Sequence, residues 1–191
     1  SSMPAGTPIT LSKSTTVKAR GFLGDRPVTR TVSRRFEHLD PITAVQTLKA
    51  DPGLRFNAYE VPESIKTCAE ITKAKKVGEG VAPEPSVAVK PREENFGLVF
   101  QGFIDVPETG VYRFFVDSDD GSVMLLHGNV AVDNDGPHSA TEKSGAVALE
   151  KGMHPIEIRM FEAAGQDLLR VSWMTPGSTK KVVVPATAWK N

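Results

Sequence analysis

The sequence predicts an all-β protein: an antiparallel β-sandwich preceded by an N-terminal β-hairpin appendage. Three observations predict it. From residue 96 onward, eight short apolar runs follow one another with no room for a long helix between them. Turn residues separate these runs, at 107–110, 151–152, 164–165 and 176–177. Within the runs apolar and polar side chains alternate, the period of a strand with one face on a core. Strands at this density imply antiparallel sheets packed face to face.

The chain opens with strand-like runs at 9–11, 15–22 and 28–36, the last two joined by a turn through 24–27. Val17, Ala19 and Gly21 fall on one face, and Val28, Val32 and Phe36 share a face with Arg30 and Arg34. A two-stranded ribbon is marginal in water by itself, so residues 1–38 read as an appendage laid on something larger. Residues 39–53 read as a connector. Asp40 followed by Pro41 is how a short helix or turn begins, and Asp51-Pro52-Gly53 ends it.

Residues 54–191 are the predicted sandwich. The run 54–61 alternates as a strand. The segment 62–94 is rich in Lys, Glu and Pro and reads as a long excursion with one short helix, the kind of loop that is functional or peculiar to a family. Its charge run at 73–76 reads as a solvated face. Strands are then predicted at 96–106, 111–117, 122–126, 130–133, 145–149, 154–162, 168–174 and 181–184. Trp173 and Trp189 read as core aromatics.

The second and third of these strands enclose a tip on which Asp117, Asp119 and Asp120 crowd into four residues. Carboxylates this close repel one another unless a cation, a ligand or backbone N–H groups hold them. A second polar loop follows at 132–138, with Asn134, Asp135 and His138. Oxygens from the two loops could meet around a hard cation or the hydroxyls of a sugar, although Asp, Asn and Gly also simply make good turns.

Composition narrows the alternatives. Lys plus Arg and Asp plus Glu number 23 each, so the formal charge of zero gives no reason to expect nucleic acid or an anionic membrane as a partner. No apolar run approaches the roughly 18 residues of a membrane span. The chain starts without a signal peptide, but its abrupt start reads as an internal boundary of a longer protein. The single cysteine, Cys68, excludes an internal disulfide and reads as a structural thiol. The histidines at 38, 127, 138 and 154 show no metal-protease spacing, and no nucleophile elbow is present. An EF-hand drawn through Asp133 and Asp135 places Ala131 at its first ligand position. Asp119 with Asp135 offers a carboxylate pair for glycoside cleavage, the weakest of the readings considered.

Two resemblances bear on these residues. The run 8–22 looks like the closing strands of the small β-sandwich appended to bacterial chitobiases and β-hexosaminidases, with only the latter half of that module present. The series GFIDVPETGVYRFF at 102–115, SDDGS at 118–122, VDNDG at 132–136, LEKGMHP at 149–155 and LRVSW at 169–173 resembles the PA-fourteen domain. That is a β-sandwich named for a piece of anthrax protective antigen and found in bacterial glycosidases and yeast surface adhesins. The resemblance implies a non-catalytic carbohydrate-binding accessory domain of a secreted glycoside hydrolase, with a structural spacer for the catalytic domain as the alternative. The implied parent resembles a β-N-acetylhexosaminidase. It implies a glycan and the parent's catalytic domain in cis as partners, and an extracellular, periplasmic or cell-surface location without membrane insertion. In the adhesin branch two consecutive aspartates joined by a cis peptide hold calcium that also contacts the sugar. Asp119 and Asp120 match them as metal ligands, with calcium the implied cofactor. Asn134 or Asp135 is the candidate to complete the site, so the expected sugar contacts are Asp119, Asp120, Asn134, Asp135 and His138.

Overall fold

The computed structural model describes residue 4 and residues 6–46 and 49–191. The chain divides into two compact units at Asp40 and Pro41.

The first unit is the hairpin. Strand β1 (Thr15–Ala19) pairs antiparallel with β4 (Val32–Phe36), and the ribbon narrows to β2 (Phe22–Leu23) and β3 (Arg26–Pro27) around a two-residue turn. Most of its large apolar side chains stay in solvent, with Phe22 59 % exposed, Leu23 76 % and Val32 68 %, while Val17 is half-buried.

The second unit begins extended. Ile42 N–H donates to Ala148 O and Val45 N–H to Met153 O, so this stretch lies along the sandwich as isolated bridges. Of the short helix or turn expected after Asp40, no helix forms at 41–46 or 49–50; residues 47 and 48 lie outside the described residues. Ile42 and Val45 are β-branched and find backbone partners on the sandwich, which overrides the capping signal.

Two sheets enclose the core. The larger contains β5 (Leu54–Glu60), β6 (Lys75–Ala82), β7 (Phe96–Val106), β9 (Ser122–Leu126), β10 (Asn129–Asn134), β12 (Gly152–Glu162) and β15 (Trp189–Lys190). The strands run in the order β10-β9-β12-β7-β5-β6, with β15 also on β7. The smaller has the order β11-β8-β13-β14, from β8 (Gly110–Asp119), β11 (Thr141–Leu149), β13 (Leu168–Met174) and β14 (Val182–Val183). Phe100, Met124, Ile158 and Met160 of the larger sheet meet Tyr112, Phe114, Val116 and Trp173 of the smaller. Trp173 and Trp189 are both buried, as the sequence predicts.

The 62–94 segment is more ordered than expected. A 3-10 helix, Cys68–Lys73, lays Cys68 and Ile71, with Ile65 just before it, on Val99 and Phe161, forming a second core on the outer face of the larger sheet. Strand β6 follows, and it was not legible because KKVGEGVA carries three charges and two glycines. It is an edge strand, where charge is an asset against wrong pairing. Gly80 is required there: a Cβ would meet the Phe56 ring at 2.9 Å.

Candidate functional site

The site is built where β8 turns into β9. Strand β8 ends at Asp119 and β9 starts at Ser122, leaving Asp120 and Gly121 as the whole turn. The Asp119–Asp120 peptide is cis. Gly121 has no room for a side chain, since a Cβ would stand 2.5 Å from the Phe161 ring and 2.7 Å from Gly136 O.

The two carboxylates are deeply set, 9 % exposed for Asp119 and 8 % for Asp120. Asp119 Oδ2 accepts from Ala140 N at 2.9 Å. Asp120 Oδ1 accepts from His138 N at 2.9 Å, and its Oδ2 from Ala163 N at 3.1 Å. The pair therefore ties the β10–β11 loop and the β12–β13 loop to one tip. The sequence places these groups on an acidic tip; in the structure the loops on either side close over them because each supplies an N–H that a carboxylate accepts.

Beneath them lies a buried polar hub. Ser118 and Ser122 hydroxyls share a hydrogen bond of 2.7 Å. Asn134 Nδ2 donates to Ser118 Oγ at 3.0 Å and to Thr141 O at 2.8 Å, while Asn134 Oδ1 is buried with no partner. The His138 ring nitrogens lie 2.9 Å from Asn134 O and 3.0 Å from Ser139 O, stapling the loop to itself. Asp135 is engaged elsewhere: its Oδ1 accepts from Cys68 N at 2.8 Å and Gly136 N at 2.9 Å, joining the loop to the 3-10 helix. The thiol of Cys68 is buried and points at Gly121 O, and burial followed by the charge of Asp135 pushes its pKa up, which leaves it an inert thiol.

The sequence reading missed Glu162. It closes β12, is fully buried, and both of its carboxylate oxygens lack a partner. One oxygen each from Asp119, Asp120 and Glu162 lie within 4.8 Å of one another. Burial, then the charges of Asp120 and Asp119, raise the Glu162 pKa to about 7. The signal was present in the pattern: Ile156, Ile158, Met160 and Glu162 share one face of the strand, so an acid stands on the apolar side. A buried carboxylate with neither oxygen fully hydrogen-bonded, only the nearby Asp120 N–H easing its charge, and two more carboxylates facing it is stabilised by a proton or a cation beside it. All the donors are hard oxygens, which fits calcium and not a thiolate- or imidazole-seeking metal.

The family model of the PA14 domain matches residues 50–186. A search of curated proteins finds no match. Among solved structures, the PA14 domain of the MpAFP antifreeze protein aligns with a TM-score of 0.64 at 16 % identity, covering 77 % of this chain and 94 % of that one. A PA14 sugar-binding domain from an RTX adhesin aligns with a TM-score of 0.62 at 15 % identity, over 73 % of this chain and 98 % of that one. The epithelial adhesin 9 A domain of Candida glabrata, in complex with Galβ1-3GlcNAc, aligns with a TM-score of 0.63 at 13 % identity, over 77 % and 94 %. At these identities the structural likeness carries the fold.

Proposed function

The chain belongs to the PA14 domain family, and from that premise we propose that its sandwich is a non-catalytic glycan-binding module that uses calcium at the Asp119, Asp120 and Glu162 cluster. The observation that carries this reading is the Glu162 carboxylate, buried with neither oxygen fully hydrogen-bonded and turned toward two further carboxylates. Asp119, Asp120 and Glu162 would hold the ion, and calcium there would offer coordination positions to sugar hydroxyls. The protein's own contribution is positional. Backbone N–H groups of Ala140, His138 and Ala163 fix the aspartates, and the loops at 135–140 and 163–167 flank the place where a sugar would sit. A site this small desolvates little surface, so affinity is modest and specificity comes from the flanking loops.

Similar domains occur in an RTX adhesin, where the domain is sugar-binding, and in an epithelial adhesin seen in complex with Galβ1-3GlcNAc, which supports a glycan partner and a location outside the cell. The parent is proposed to be a glycoside hydrolase whose catalytic domain acts in cis, with the hairpin unit as the closing part of an appended sandwich. A second reading is supported by a different observation. The aspartates already satisfy three backbone N–H groups, so they can serve the fold alone, and the domain would then be a spacer.

Glycan-array binding of the full chain in calcium and in chelator separates the two. The module reading expects neutral glycans bound in calcium, lost in chelator and lost in Asp120→Ala. Absence of glycan binding in both buffers supports the spacer, and turnover of a chromogenic glycoside by this chain would overturn both.

A further inference from the structure

The outer face of the larger sheet is only partly covered. The 3-10 helix covers the part around Val99 and Phe161, and beyond it the outward side chains of four adjacent strands line an open groove of about 630 Å³. That volume suits a small ligand of a few rings.

One row of the groove runs straight across the strands. Arg55 of β5 stands opposite Gln101 of β7, Gln101 opposite Glu157 of β12, and Glu157 opposite Leu125 of β9. Gln101 Nε2 donates to Glu157 Oε2 at 2.6 Å, and Arg159 Nε donates to Glu157 Oε1 at 2.5 Å. Glu157 is thus neutralised, with both oxygens engaged. Arg55 is exposed and has no hydrogen bond or ion pair among the described residues, so one guanidinium fork is left over. Beside this row, half-buried Phe103 stands in register with Pro155 and makes an apolar ledge.

These features narrow the occupant. A fork of N–H donors with no counter-charge selects a carboxylate. A half-buried aromatic ring beside it suits the C–H face of a sugar ring. An extended peptide would need a free strand edge, but β5, β7 and β12 are each paired on both sides. A single unpaired cation is too little for nucleic acid. We propose that this groove is a second saccharide site, separate from the aspartate cluster, which takes an oligosaccharide containing uronic acid. Its carboxylate meets Arg55, its hydroxyls meet Gln101 and Glu157, and one ring lies on Phe103.

The test is titration of the full chain with tetragalacturonate in chelator, a condition that silences the calcium-dependent site, followed by calorimetry. Saturable binding is expected, about tenfold weaker in Arg55→Ala and several-fold weaker in Arg55→Lys and Phe103→Ala, with Asp120→Ala behaving as wild type. A neutral galactose oligomer of equal length should bind at least tenfold more weakly. The proposal fails if tetragalacturonate does not bind, if Arg55→Ala binds it as well as wild type does, or if a glutamate tetrapeptide binds equally. Chelator-resistant binding here and chelator-sensitive binding of neutral glycans are separate readouts, so either reading can fail without the other.

Discussion

Replacing Glu162 by Gln keeps the shape of the side chain and removes a buried charge that faces two other carboxylates. In chelator the variant is expected to melt higher, by roughly 2–4 °C if about 1 kcal/mol of repulsion is relieved. The melting-temperature gain produced by calcium should fall by more than half; an unchanged calcium response would show that Glu162 is not a ligand. A second residue-scale prediction concerns His127, whose Nε2 lies 2.9 Å from His154 Nδ1, while His154 Nε2 donates to Glu150 O at 2.8 Å. Burial, then the neighbouring His154, holds the His127 pKa below its usual 6.5. As pH falls below about 6.5 the unfolded chain takes up this proton before the folded one, so the stability present above that pH is lost on acidification. His127→Asn, which tolerates the left-handed backbone there (φ 49°), should lose less melting temperature than wild type between pH 7.5 and 5.5. At this scale the sequence was only half legible. The adjacent aspartates announce themselves by crowding, but the partners that fix them are backbone N–H groups, which have no sequence signature. Glu162 lies 42 residues beyond Asp120, a distance that only strand pairing closes.

The β8–β9 turn is the element that joins fold and site. Its two-residue length forces Gly121 between the Phe161 ring and the Gly136 backbone. Gly121→Ala must displace one of them, and neither yields easily, since Phe161 belongs to the second core. The expected cost is about 1–3 kcal/mol in urea unfolding, with weakened calcium binding alongside; a variant as stable as wild type would mean the turn is slack. Strands β7, β9 and β13 match their predicted bounds because apolar alternation and flanking turn residues agree. Strand β6 escaped because its stability comes from pairing with β5 at the edge of the sheet, not from its own composition. After Asp40 no helix forms for the same reason in reverse: the local capping signal yields to backbone bonds supplied from more than 100 residues away, as between Ile42 and Ala148.

For the whole molecule, both hydrophobic clusters lie in Pro41–Asn191, while the hairpin unit leaves most of its large apolar residues in solvent. Residues 41–191 produced alone should therefore unfold in one cooperative transition by circular dichroism and calorimetry. A peptide of residues 8–40 should lack a cooperative melt; a folded isolated hairpin would contradict the view that a ribbon this exposed needs a partner. Sandwich architecture was readable at this scale because strand density, turn spacing and alternation all agree, whereas the floor of the groove on the outer face was not, since it depends on register across four strands. The most direct measurement of the cation site is the heat of calcium binding to the chelator-treated full chain. One ion per chain is expected, with a dissociation constant on the order of 10⁻⁵–10⁻³ M, and with the heat lost in Glu162→Gln and Asp120→Ala. No heat in wild type at about 10 mM calcium, well above that range, would contradict it.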